Sequence, residues 1–182
     1  MKIDRIHHVA YRCKDAKETV EWYGRMLKMD FILAIAENEV PSTKEPDPYM
    51  HVFLDAGSGN VLAFFELPTK PEMGRDPNTP VWVQHIAFRV SDRAELLAFK
   101  DHLEGNGVEV LGVTDHGMFH SIYFFDPNGH RVELACPDPQ EEAMIAKADA
   151  VKWEMLEEWS RTRRAPRLGA FIHERELSGR TS

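Results

Sequence analysis

The chain has 182 residues, enough for one compact domain or two half-domains sharing a core, and its apolar share of 43% and charged share of 29% are ordinary. A net charge of -8 excludes a general nucleic-acid binder, which presents a basic face, and the longest apolar run, Phe31 to Ala36, is far too short to span a bilayer. The first dozen residues are broken by charge and do not read as a secretory leader; a cytoplasmic protein is expected, with Cys13 and Cys136 as incidental free thiols.

Residues 3–13 carry enough β-branched and aromatic side chains to predict a strand. A helix is predicted over 15–28, where Val20, Tyr23 and Leu27 recur at helical spacing behind a capping Asp15. Strands follow at 30–38, 49–55 and 60–67, separated by the loop 41–48 and the turn Gly57-Ser58-Gly59-Asn60. Residues 70–80, rich in proline and charge, read as a linker. The order then repeats: a strand at 82–90, a helix from Ser91 to Glu104 ended by Gly105 and Gly107, and strands at 108–112, 118–126 and 130–135. Each half is β-α-β-β-β. Beyond Pro137-Asp138-Pro139 a helix over 140–161 lines up Met144, Ala148, Val151, Met155 and Trp159 in one apolar stripe. That stripe is expected to pack on its own domain or on a partner subunit, with a lid over an active site as a second use. Residues 161–182, basic and then mixed, predict partial order.

The two halves share more than element order. His8-Val9-Ala10-Tyr11-Arg12-Cys13-Lys14-Asp15 lines up with His85-Ile86-Ala87-Phe88-Arg89-Val90-Ser91-Asp92, four of eight positions being identical. Gly59 to Phe64 can be laid on Gly129 to Leu134, which pairs Ala63 with Glu133. Such repetition implies that each structural role is played twice around a pseudo-twofold axis. Strand alternation puts His8, Ala10 and Arg12 on one face and Val9, Tyr11 and Cys13 on the other, with the same split around His85. His8, His85 and Glu133 are therefore candidate metal ligands on a concave inner surface, since unpaired polar groups are costly to bury. Two imidazoles and a carboxylate form the ligand set of non-haem Fe(II) oxygenases, although zinc hydrolases use the same residue types. The fourth position falls on Ala63. A rival register that pairs Glu66-Leu67 with Glu133-Leu134 would make Glu66 a ligand and needs a bulge.

At this point the residues resemble the vicinal oxygen chelate superfamily (glyoxalase, bleomycin resistance and extradiol dioxygenase proteins), over about residues 3–136. Thr114-Asp115-His116, then five residues, then Ile122-Tyr123-Phe124-Phe125-Asp126-Pro127-Asn128-Gly129, then three residues and Glu133, is similar to the extradiol ring-cleavage signature. The resemblance implies an α+β fold of two βαβββ modules forming a curved mixed sheet around a metal site, with a C-terminal helix appended. It places the domain at 1–137, with modules at about 3–68 and 82–136, and a helical extension at 138–182. It implies Fe(II) on His8, His85 and Glu133, catalytic roles near the substrate for His116 and Tyr123, and cleavage of a catechol-like substrate by O2. Extradiol enzymes of this type carry an acid-base histidine just upstream of the second metal histidine, and residues 67–84 contain none. His51 is the candidate substitute. They also often hold two pairs of such units, where this chain has one. The competing expectations are a glyoxalase- or epimerase-type lyase or isomerase using Ni, Zn, Co or Mn, which generally has four protein ligands, and a non-catalytic small-molecule binding module. The expected partners are a small-molecule substrate and a second copy in a homodimer, with neither nucleic acid nor membrane.

Overall fold

The computed structural model describes residues 2–173; of the tail beyond Arg161, residues 174–182 lie outside the described residues. The chain divides into two compact units: Met1–Ile86 with Phe125–Val132, and Ala87–Phe124 with Glu133–Ser182. Among the described residues no helix is long and apolar enough to cross a membrane.

The first unit runs β1 (Val9–Cys13), α1 (Ala16–Leu27), β2 (Asp30–Glu39), β3 (Pro46–Asp55) and β4 (Val61–Glu66), with a four-stranded sheet in the order β1-β4-β3-β2. β1 runs parallel to β4 and the remaining pairs are antiparallel, so the sheet is mixed. Asp15 caps α1 by accepting the Glu18 amide at 2.8 Å, and Lys28 ends it in the left-handed region at φ 59°. The helix buries Ala16, Thr19, Trp22, Tyr23, Met26 and Leu27. The predicted Val20 is only half-buried, because the stripe is centred on Trp22–Tyr23 and Met26–Leu27. Beneath it lie Cys13, Val52, Leu54, Leu62 and Phe64, each at most 3% exposed. β1 is shorter than predicted. Its pairing begins at Val9 opposite Leu62, where β4 itself emerges from the glycine turn, so residues before Val9 have no strand to pair with.

The Asp126-Pro127-Asn128-Gly129 turn belongs to this unit and is bound to α1. Asp126 accepts from the Tyr23 hydroxyl at 3.1 Å and from the His130 amide at 2.8 Å. Asn128 accepts the Lys14 amide at 2.8 Å and donates to Thr19 Oγ1 at 3.1 Å. Burial and the adjacent Asp126 carboxylate push the Tyr23 phenol well above its ordinary range. Asp126 and Asn128 are thus satisfied structural groups.

The remaining strands are β5 (His85–Arg89), β6 (Leu111–Asp115), β7 (Phe119–Phe125) and β8 (Arg131–Pro137), in the order β5-β8-β7-β6, with α2 (Arg93–Gly105) capped by Asp92. The α+β fold of two βαβββ modules is therefore as expected, each module carrying its own four-stranded sheet with the same strand order. β6 starts three residues later than predicted, because the Val108 amide is still closing α2 onto the Leu103 carbonyl at 3.0 Å. α3 spans Glu141–Thr162. Met144, Ala148, Val151 and Met155 of its predicted stripe are half-buried, whereas Trp159 is exposed. The stripe meets the 3-10 helix Arg167–His173, in which a Cβ on Gly169 would press on the Met155 methyl.

Candidate active site

Register decides which side chains in the first sheet share a surface. Ala10 pairs with Ala63, which pairs with Phe53, and Arg12 pairs with Phe65, which pairs with His51. Paired residues point to the same side and successive residues alternate, so Arg12, His51, Phe53, Ala63 and Phe65 share the face that His8 extends. The His8 ring lies 6.3 Å from His51 and 6.0 Å from Phe53 between centroids, and its Nδ1 is 2.9 Å from His7 Nδ1. His51 is 8% exposed, stacks on Phe65 at 3.6 Å, and has a buried Nε2 with no hydrogen-bond partner. Desolvation, aided by the His8 charge, lowers its pKa and favours the neutral imidazole.

Glu66 lies on the other face. It pairs with Cys13 and Met50, and its Oε2 accepts the Ala16 amide at 2.7 Å at the start of α1. The rival register is thereby corrected: a one-residue change of parity aims Glu66 away from His8, and Ala63 occupies the position on the His8 face. Glu66→Ala is expected to cost about 1 kcal/mol, lowering the melting temperature by a few degrees, and to leave metal stoichiometry unchanged. Metal analysis alongside calorimetry checks both; loss of metal on this substitution would restore Glu66 to the ligand set.

His85 opens β5, is exposed, and donates from Nδ1 to the Val83 carbonyl at 3.0 Å. A carbonyl can only accept, so this contact fixes the proton on Nδ1 and the lone pair of the neutral ring on Nε2, as a ligating histidine requires. A cleft of about 600 Å³ in the same unit has His85 on its wall with Lys14, Arg75 and Arg131.

In the second unit Glu133 is 4% exposed. Its Oε1 accepts a short hydrogen bond from the Ser121 hydroxyl and a second, at 3.3 Å, from Tyr123 Oη. Tyr123 Oη in turn lies 2.8 Å from His116 Nε2. A phenol has one proton; with that proton directed at Glu133, the oxygen accepts from His116 Nε2–H. His116, Tyr123 and Glu133, separated in sequence, therefore form one hydrogen-bonded line. Gly112 lets β6 lie close against β7: at φ 113°, a Cβ there would stand 2.7 Å from the Ser121 carbonyl oxygen.

The expected ligands divide between the units, His8 and His85 in one and Glu133 in the other. Neither unit by itself gathers three such ligands among the described residues. The donor chemistry fits a divalent ion: His85 has the ligating tautomer, and Glu133 is a buried carboxylate oriented through one oxygen. Ser121 was missed in the sequence, although it sits two residues before Tyr123 and so must share its face. Arg12 was placed on the correct face without a role.

A model of the Glyoxalase/Bleomycin resistance protein/Dioxygenase superfamily matches residues 5–134. Over 88 residues the chain is 30% identical to MhqA of Bacillus subtilis (strain 168), which bears the name of a ring-cleaving dioxygenase; the match takes in 48% of this chain and 28% of MhqA. The chain thus spans less than a third of that relative's length. Among solved structures, the glyoxalase family protein from Enterococcus faecalis is 26% identical, with a TM-score of 0.54 over 74% of this chain and 99% of that one. The fosfomycin resistance protein FosX from Listeria monocytogenes, complexed with Mn(II) and sulfate, is 18% identical, with a TM-score of 0.54 over 78% of this chain and 99% of that one. A glyoxylase/bleomycin resistance protein/dioxygenase domain from Frankia sp. EAN1pec is 15% identical, with a TM-score of 0.60 over 75% of this chain and all of that one. The last two share the fold alone. With both repeats and the turn that ties them to α1 inside the matched span, the chain belongs to the Glyoxalase/Bleomycin resistance protein/Dioxygenase superfamily.

Proposed function

We propose that the protein is an extradiol-type dioxygenase that cleaves a catechol-like aromatic with O2. The observation that carries this is the line His116–Tyr123–Glu133, which joins the three polar residues of the ring-cleavage signature by hydrogen bonds. The name borne by MhqA supports the same chemistry. In the overall reaction a ring C–C bond beside the diol breaks and both atoms of O2 enter the ring-opened product, so no external reductant is needed.

His8, His85 and Glu133 would hold one divalent ion, proposed to be Fe(II). Bound there, the ion supplies Lewis acidity that acidifies the diol and a common centre for the two reactants. The chain's own groups supply the rest. Tyr123 Oη donates toward Glu133 and receives from His116 Nε2–H, so the line is arranged to deliver a proton from His116 through Tyr123 and to take it back once Nε2 has given it up. Phe53 and Phe65 offer flat apolar surface on the His8 face. Glu66, paired with Cys13 and bonded to the Ala16 amide at the start of α1, speaks against the four-ligand set of the isomerase alternative. We place the enzyme in the cytoplasm, in keeping with two buried free thiols, as a homodimer.

Anaerobic loading with Fe(II), followed by O2 uptake and product spectra over a panel of catechols, tests the proposal. Stoichiometric O2 uptake with ring-opened product is expected. Turnover of a hemithioacetal or an epimerisable thioester without O2 would replace it with the isomerase.

A further inference from the structure

We propose that the His8 face of the first sheet carries an anion subsite built from Arg12 and His51, and that it takes the carboxylate of an aromatic acid. This rests on the dioxygenase assignment for its place in the site, and deepens it by naming the substrate class.

Two side-chain polar atoms among the described residues are buried without a hydrogen-bond partner, Arg12 Nε and His51 Nε2. Leaving a buried polar atom unpaired is costly, so native proteins rarely do so without a reason. These two are neighbours in the sheet. Arg12 pairs with Phe65 and Phe65 with His51, so both side chains leave the same face from one row, with an aromatic ring between them. His51 is itself more than nine-tenths buried and stacked on that ring at 3.6 Å.

The chemistry of the two atoms defines the ligand. A guanidinium only donates, and its Nε–H and Nη edge matches the two oxygens of a planar carboxylate. Arg12 is held in place by a bond from Nη2 to the Pro71 carbonyl at 2.6 Å, a neutral partner that leaves the positive charge unmatched. His51 adds a nitrogen on the same face. Phe53 and Phe65 line the surface with rings, which a flat ligand covers better than a compact phosphate or sulfate. Arg12 lies four residues from His8, so a ring lying along the strand would direct one edge toward His8 and the opposite substituent toward Arg12. A catechol bearing a carboxylate away from its diol fits that order.

The test uses the full chain without metal and measures benzoate and benzamide binding by calorimetry. These probes have nearly the same shape and differ in charge. Benzoate is expected to bind the wild type at least about tenfold more tightly than benzamide, as a charge-assisted bond implies. In Arg12→Gln that ratio should fall to about one, and in Arg12→Lys it should recover in part, because the charge returns without the bidentate edge. Equal binding of the two probes by the wild type overturns the subsite and needs no variant to interpret. So does undiminished benzoate preference in a folded Arg12→Gln protein. A parallel arm compares 3,4-dihydroxybenzoate with catechol on the Fe(II)-loaded enzyme. If neither is consumed while benzoate is still preferred, the dioxygenase falls and the subsite stands. If catechol is consumed and no acid preference exists, the subsite falls and the dioxygenase stands.

Discussion

Glu133→Gln is expected to give a folded protein that no longer takes up a divalent ion. Glu133 is 4% exposed and two hydroxyl groups, from Ser121 and Tyr123, converge on one of its oxygens. A buried carboxylate is costly to keep charged, and a bound cation offsets that cost. Gln keeps the shape and a carbonyl oxygen for the two hydroxyls while removing the charge. The apo protein should therefore melt no lower than wild type. Metal affinity should drop by at least about a hundredfold, because this change removes a ligand and not merely one of its supports, whose loss alone costs about 10–100-fold. Thermal melting with and without Fe(II) reads both effects at once. A saturating ion at one hundred times its Kd stabilises the wild type by about 2.7 kcal/mol, a shift of several degrees. The variant should show no shift, and activity should vanish with it. A metal-dependent shift of wild-type size in Glu133→Gln would remove Glu133 from the ligand set, and with it the iron chemistry proposed here.

How far the sequence could be read depended on whether a property was local or set by register. Asp15 announced the start of α1, because an N-cap is a contact between residues three apart, whereas the second helix was started at Ser91 and the structure shows Asp92 as its cap. The duplicated His-x-Ala-x-Arg strand gave both the module order and the parity of Arg12, since alternation needs no partner strand. Other features needed pairing. The choice between Ala63 and Glu66 turned on which residue of β4 stands beside Ala10, and a shift of one residue reverses the outcome. His51 could not be assigned a face until β3 was registered on β4 opposite Phe65. β1 was overestimated because the sequence shows the propensity of residues 3–8 but not the end of β4, which leaves them unpaired. The Asp-Pro-Asn-Gly turn is the reverse case. It was legible as a signature, yet its purpose, tying Asp126 and Asn128 to Tyr23 and Thr19, depends on contacts more than a hundred residues apart. Ser121 was hidden for a different reason: a serine in a strand carries no signal until Glu133 is seen accepting from it.

Tyr123→Phe separates chemistry from architecture within the same line of residues. The hydroxyl is the sole group removed, and Glu133 keeps its bond from Ser121. Metal content should therefore stay at the wild-type level, and stability should change by about 0.5–1.5 kcal/mol, the usual net worth of one hydrogen bond. Turnover should suffer far more. Without Oη, His116 Nε2 loses the atom 2.8 Å away that links it to Glu133, and the proton path is cut at its middle. General acid-base groups contribute about 10²–10⁴-fold, so kcat should fall by at least about a hundredfold with KM little changed. Steady-state kinetics on the Fe(II)-loaded variant, with metal content measured on the same sample, decides the matter. A fall in kcat that tracks lost metal would make Tyr123 a support for Glu133. A rise in KM at constant kcat would make it a binding contact. Only the loss of kcat at full metal occupancy places the phenol in the proton path, because a residue that merely held the carboxylate would act through the ion it helps to bind.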